Sequence, residues 1–267
     1  MLNAGKKNVV GILMDAVDYE AAVDFVVRAA HERRGAAISA LAVHGVMTGV
    51  LDREHKFRLN RFDLLTPDGQ PVRWALNLMY KAGLRDRVYG PNLTLKLCAR
   101  AALESLPIYF YGGTPQMLAA LRKSLEYRFP GIQIAGMEPS RFRCLTLAEK
   151  SDLVHRIRNS GASMLFVGLG CPRQEVFAYE FRDLLHMPIL AVGAAFPFIA
   201  GHVPQAPHWM QNLGLEWAFR LAAEPRRLWR RYVYLNPAYA FLAAAQALGL
   251  RHFTTEGQSP SAEVLFG

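Results

Sequence analysis

The stretch Thr66-Pro67-Asp68-Gly69 sets a carboxylate in a turn fixed by proline and glycine, directly after the apolar run Phe62-Asp-Leu-Leu-Thr66. A carboxylate at a strand end is the kind of group that takes the proton from an attacking sugar hydroxyl. The same residues also suit an ordinary turn aspartate that caps the next helix. Two glycine turns come next. Gly112-Gly113-Thr114 and Gly168-Leu-Gly170 each put backbone N–H groups and a helix start at a strand end, which suits a diphosphate. Tight strand-to-helix turns without a ligand look the same. Neither turn is a dinucleotide fingerprint, because Gly168-Leu-Gly170-Cys-Pro-Arg173 lacks the third glycine. Arg173, Gln174 and Glu175 open the helix that follows. They either complement its dipole or reach a nucleotide or sugar hydroxyl. His44 stands alone after an apolar strand, as a partly buried histidine or a substrate contact.

The chain has no His-Glu-x-x-His, no paired-cysteine zinc spacing, no P-loop and no Asp-x-Asp. No metal site and no cofactor are expected. The charge of a bound diphosphate would have to be met by arginine, backbone N–H groups or helix dipoles.

A second kind of chemistry is concentrated near the C-terminus. From Gly214 to Tyr232 the chain holds five arginines, Arg220, Arg226, Arg227, Arg230 and Arg231, and two tryptophans, Trp217 and Trp229. The guanidinium fork matches phosphate oxygens. Indole and phenol rings favour the boundary between water and lipid headgroups. The segment reads as a docking surface for phosphates or an anionic membrane, although a basic amphipathic helix can also be a solvated face.

These residues need a scaffold, and the chain alternates short apolar runs with longer amphipathic ones. Strands are expected over 8–14, 38–43, 62–66, 107–111, 163–167 and 189–192. Helices are expected over 19–34, with Asp18 as N-cap, and over 46–61, 72–82, 93–105 and 115–129, then from the second glycine turn to 185. From Pro207 onward the chain reads as helical and basic. The fold class is α/β: a Rossmann-like, largely parallel sheet with a helical, Arg-rich C-terminal appendage. Ligands of such sheets sit at the carboxyl ends of the strands. The organisation read from this is a catalytic core over 1–206, an appendage over 207–253 and a disordered tail over 254–267.

Composition agrees with this layout. The 267 residues are 52% hydrophobic, enough for a sizeable core, and the formal charge of +9 calls for a polyanionic partner. Arg220 to Arg231 alone carries five positive charges against one glutamate, a local rather than diffuse excess. Cys98, Cys144 and Cys171 are odd in number and far apart, which fits a reducing compartment. No stretch reaches the ~20 apolar residues of a spanning helix. A nucleic-acid module would spread its charge along a face with stacking platforms. A nucleotide-dependent oxidoreductase would want the full glycine fingerprint.

The pieces occur together in one known family. The chain resembles the WecG/TagA/CpsF glycosyltransferases (glycosyltransferase family 26) from about Val9 to Tyr234. The resemblance rests on Pro67-Asp68-Gly69, Arg87-Val88-x-Gly90, Tyr111-Gly112-Gly113, Val167-Gly-Leu-Gly-Cys-Pro172-Arg-Gln174-Glu175, Ala200-Gly201-His-Val, Ala206-Pro207, Leu213-Gly-Leu-Glu216-Trp217-x-x-Arg220-Leu and Glu224-Pro225-x-Arg227. It implies an inverting, metal-independent transfer of a sugar from a nucleotide-diphosphate donor, usually UDP, to a polyprenyl-diphosphate-linked acceptor. The enzyme would be cytoplasmic and peripheral on the inner face of the bacterial cytoplasmic membrane. Nucleic acid is not an expected partner, and a homo-oligomer is compatible with the sequence. Asp68 matches the base proposed for the family, and Arg87 and Gln174 match residues placed at the donor or catalytic site. Arg220, Arg227, Arg230 and Arg231 fall in the appendage that meets lipid phosphates. The chain departs from the family pattern in three places: Ala40-Leu-Ala42-Val-His44 stands where Thr-x-Asn is common, Gly90-Pro-Asn92-Leu replaces Gly-x-Asp-Leu, and Phe196-Pro197 replaces Phe-Asp.

Overall fold

The computed structural model describes the backbone of residues 1–267 and every side chain except those of His208, Asn212, Arg227 and Arg231. The chain opens with an antiparallel hairpin, β1 (Asn3–Val9) and β2 (Ile12–Val17), where a single strand over 8–14 was expected. Val10 and Gly11 have positive φ and turn the chain between them. Then follow α1 (Tyr19–His31), β3 (Ala36–Leu41), α2 (Val43–Leu51), α3 (Arg53–Leu59), β4 (Leu64–Pro67), α4 (Gln70–Tyr80) and α5 (Gly90–Leu103). Asp18 caps α1 through the amide of Ala21, as expected. The helix expected over 46–61 is two helices. Asp52 adopts an extended conformation and caps α3 through the amides of Glu54 and His55, so the chain turns there.

The second half runs β5 (Ile108–Gly112), α6 (Pro115–Arg128), β6 (Ile134–Glu138), α7 (Leu147–Asn159), β7 (Met164–Gly168), α8 (Arg173–Leu185), β8 (Pro188–Ala191) and α9 (Ala195–Ile199). The C-terminal region is helical: α10 (His208–Asn212), α11 (Glu216–Ala223), α12 (Pro225–Arg230), a π-helical stretch (Arg231–Leu235) and α13 (Asn236–Ala247). Six strands form one parallel sheet in the order β4-β3-β8-β7-β5-β6, so the α/β reading holds.

Each face of the sheet has its own core. One is filled by Val26, Leu97, Phe110, Leu121, Phe166 and Phe196, under α1, α5, α6 and α9. The other holds Ile12, Met47, Leu76, Tyr111, Phe177 and Ile189, under the hairpin, α2, α4 and α8. Full burial of such side chains is worth about 1.5–3 kcal/mol each. Asp15 of the hairpin accepts from the Leu65 amide at 2.7 Å and from Lys6 Nζ at 3.0 Å, which fastens β4 just before Asp68. Burial raises the Asp15 carboxyl above the usual carboxylate range.

Residues 254–267, expected to be disordered, lie along the body of the molecule. Val264 and Leu265 donate to the Glu180 carboxylate, Glu263 pairs with Lys150 at 2.7 Å, and Phe266 bridges Cys144. Backbone and side-chain hydrogen bonds hold this segment in place.

Candidate functional site

The strand ends dictate where a site can form. A cleft of about 470 Å³ opens at the carboxyl ends of β3, β4, β7 and β8, and α2, α5 and α8 all begin at it. Asp68, His44, Gly170, Gln174, Glu175 and Arg220 line it. A smaller pocket shares Asp68, His44 and Arg220 and adds Arg87 and Glu216. Six of the polar side chains singled out in the sequence, Asp68, His44, Arg87, Gln174, Glu175 and Arg220, therefore meet at the carboxyl end of the sheet.

Asp68 does not cap α4, where Gly69 is the N-cap. Its Oδ1 instead accepts from the Gly90 amide at 2.7 Å, at the start of α5, while its own amide donates to Leu41 O. Burial of the carboxyl group dominates its titration. It raises the pKa to about 6, against the lowering by Arg87, the Gly90 N–H and Arg220, and with a further rise from Glu216. A carboxylate poised near 6 is ionised at neutral pH and still a competent proton acceptor.

Arg87 sits between the core and the C-terminal helices. Its Nη1 donates to Asp68 O at 3.2 Å, its Nη2 donates to Gln211 Oε1 at 3.2 Å and pairs with Glu216, and its guanidinium lies 4.3 Å from the Tyr89 ring centroid. The Arg87 and Glu216 side chains are 8% and 12% exposed, so this ion pair is almost fully desolvated. Arg220 turns inward, 5.7 Å from the Phe198 ring centroid.

Gln174 ties two loops together. Its Oε1 accepts from the amides of Gly170 (3.1 Å) and Gly193 (2.9 Å), and its Nε2 donates to Glu175 Oε1 at 2.9 Å. Ser39 Oγ donates to the same Glu175 oxygen at 3.0 Å. Burial raises the Glu175 carboxyl above its usual range. The Gly170 N–H is thus engaged within the protein, and Gln174 supports the cleft wall. His44 lies in the first turn of α2, and its carbonyl accepts from Thr48 Oγ1 at 2.8 Å.

Other expected residues lie apart. Gly112, Gly113, Gly168 and Arg173 do not line the cleft. A Cβ on Gly112 would meet the Gly168 backbone at 2.7 Å, and one on Gly168 would meet the Phe196 ring at 2.5 Å. These glycines serve strand packing. Arg173 lies over the Phe266 ring, and the exposed Arg230 stacks on its neighbour Trp229 at 5.4 Å. The side chains of Arg227 and Arg231 lie outside the described residues. The cleft also recruits Tyr89, His202 and Gly193, for which no role was read. His202 lay within the quoted Gly201-His-Val motif and Glu216 within Leu-Glu216-Trp217, which was the signal available.

Beside the smaller pocket runs an apolar groove of about 1020 Å³ between α4 and α13, shaped by Trp74, Leu78, Met79, Trp217, Tyr232 and Val233. Trp209, Trp229, Tyr234 and Phe241 of the C-terminal helices are exposed. Among the described residues, no helix is long and apolar enough to cross a membrane. Residues 7–253 match the glycosyl transferase WecG/TagA/CpsF family, so the chain belongs to that family and is a glycosyltransferase of cell-surface polysaccharide synthesis.

Proposed function

We propose that this WecG/TagA/CpsF family member is an inverting glycosyltransferase that moves a sugar from a UDP-sugar to a polyprenyl-diphosphate-linked sugar, without a divalent ion at the diphosphate. The observation that carries the reading is Asp68: a carboxylate raised to about 6 at the floor of a cleft, with Arg87 and Arg220 beside it. Asp68 takes the proton of the acceptor hydroxyl as that oxygen attacks the anomeric carbon from the face opposite the diphosphate. The bond to the diphosphate breaks, and its negative charge is stabilised by Arg220 and by the N-termini of α2, α5 and α8 around the cleft. The apolar groove beside the smaller pocket supports a lipid-linked acceptor, with the prenyl chain along the groove and its sugar at Asp68. The test is a screen of nucleotide-sugar donors against a lipid-diphosphate acceptor, read by mass spectrometry. Product from a UDP-sugar is expected, and transfer only from other nucleotide classes overturns the UDP assignment.

Turnover should be the same with and without added Mg²⁺ or Mn²⁺, since arginines and helix ends take the place of a diphosphate-bound ion. A strict requirement for either ion in steady-state assays contradicts this.

The region over 207–253 is proposed as an appendage that docks on the inner face of the cytoplasmic membrane. Basic residues near an anionic surface contribute about 1 kcal/mol each, less at high salt. Replacing Arg227, Arg230 and Arg231 together with Gln should reduce co-sedimentation with anionic vesicles and slow transfer to a lipid-linked acceptor, leaving the core folded. Equal vesicle binding by the wild type and the triple variant at low salt would reduce this segment to a solvated face.

A further inference from the structure

Below the cleft lies a polar cluster that the transfer reaction does not use. His55 on α3 is 1% exposed, and neither ring nitrogen has a hydrogen-bond partner. Glu175 on α8 is also 1% exposed. Its Oε1 is held by Ser39 and Gln174, and the Cys171 thiol also interacts with the carboxylate. Cys171, in the loop between β7 and α8, is not in a disulfide. One ligand atom from each of His55, Cys171 and Glu175 lies within 4.8 Å of the others, the one such group of three among the described residues. An imidazole left unpaired at this depth costs about 1–3 kcal/mol without compensation.

We propose that His55, Cys171 and Glu175 form a binding site for a transition-metal ion, Zn²⁺ by preference. Nitrogen, thiolate sulfur and carboxylate oxygen are the mixed, borderline-soft donors that Zn²⁺ takes in four-coordinate sites. The metal–ligand lengths of such sites put the donor atoms roughly 3.5 Å apart, so each pair has at most about 1.3 Å to close. A thiolate and a carboxylate cancel the two charges of the ion, which removes the main penalty of burying it. The hydrogen bonds from Ser39 and Gln174 fix one Glu175 oxygen and leave the other for the metal, as the outer partners of a metal-bound carboxylate do. Cys171 and Glu175 also line the cleft, which leaves the fourth position to water. The ion would tie α3 to the turn that carries Gly170 and to the start of α8. It would therefore set the cleft floor, without standing between diphosphate oxygens as an exchangeable Mg²⁺ does. The sequence hides this site because its ligands are not paired at any recognised spacing.

The full chain, purified under reductant, is equilibrated with Zn²⁺ alone and assayed by elemental mass spectrometry. A single Zn²⁺ per chain is expected. Affinity should fall at least ~100-fold in Cys171→Ser and in His55→Gln, and roughly 10-fold in Ser39→Ala, which touches only the outer shell. Co²⁺ should give a thiolate charge-transfer band in the wild type and in Cys144→Ser, but not in Cys171→Ser. If His55→Gln does not fold, the Co²⁺ band of the wild type still decides. A wild type that takes up neither ion overturns the proposal. So does equal retention of the metal by Cys171→Ser and Cys144→Ser. Binding is read without donor or acceptor, so the outcome stands apart from that of the transferase reading.

Discussion

Asp68→Asn is expected to lower kcat by about 10²–10⁴-fold while leaving donor affinity near its wild-type value. Asparagine keeps the shape and can still accept the Gly90 N–H through its side-chain oxygen, so α5 and the cleft should be unchanged. Only basicity is lost. Near-normal turnover would remove Asp68 from the role. Two further readouts separate base catalysis from a structural part. For the wild type, log kcat/KM should rise through about pH 6 and level above it, because the base works only when ionised and burial holds its pKa there. That limb should disappear in the variant. The stability sign is the reverse. The folded pKa lies above the ordinary aspartate value, so the proton is bound more tightly in the native state. The stabilisation is complete below about pH 4 and is lost as pH rises through about 6. At neutral pH the buried carboxylate opposes folding, and Asp68→Asn should melt no lower than the wild type in a thermal scan.

The sheet was legible because most of its strands are short, mainly apolar runs, several of them closed by glycine or proline. Five of the six parallel strands follow from that pattern, and each helix between them shows its own apolar face. Strand β6 was not read: Ile134-Ala-Gly-Met-Glu138 is half-buried throughout, sits at the sheet edge and holds a glycine where the Tyr109 ring crosses. Helix α7 was also missed, although Thr146 and Glu149 form a capping box that announces it. The hairpin looked like one strand because its turn, Val10-Gly11, interrupts an apolar run with a residue that itself reads as strand.

The site was legible residue by residue but not as a network. Asp68 announced itself through its turn. The glycine turns announced a local geometry, and whether that geometry holds a phosphate or packs two strands depends on residues far away. Gly112 meets Gly168, and Gly168 meets Phe196. Gln174 reads as a ligand contact from its place at a helix start. It lines the cleft, and its amide also joins Gly170, Gly193 and Glu175. Such pairings are set by the sheet order, which places β7 beside β8, and local spacing carries no trace of it.

The Arg87–Glu216 pair is the plainest case, with its partners 129 positions apart in the sequence and a second large expected effect. Glu216→Ala leaves a desolvated guanidinium without its counter-charge. Breaking one side of a buried pair costs about 3–5 kcal/mol. Arg87 also holds Gln211 and the Asp68 carbonyl, so the loss should be felt where α10 and α11 rest on the core. Gly214 lies in the same contact: its φ is +71° and a Cβ there would meet the Trp74 ring at 2.7 Å. The expected result is faster proteolytic cleavage between Pro207 and Pro225, a melting temperature lower by roughly 10 °C and a large fall in kcat/KM for a lipid-linked acceptor. The double variant Arg87→Met/Glu216→Leu separates docking from chemistry. Replacing both charges with apolar groups of similar volume should restore most of the stability and the resistance to protease. It should not restore turnover, because Arg87 also lowers the pKa of Asp68 and lines the pocket beside it. If Glu216→Ala leaves cleavage, melting and turnover unchanged, the pair does not hold the C-terminal helices to the site. If the double variant recovers full activity, Arg87 acts there only as a strut.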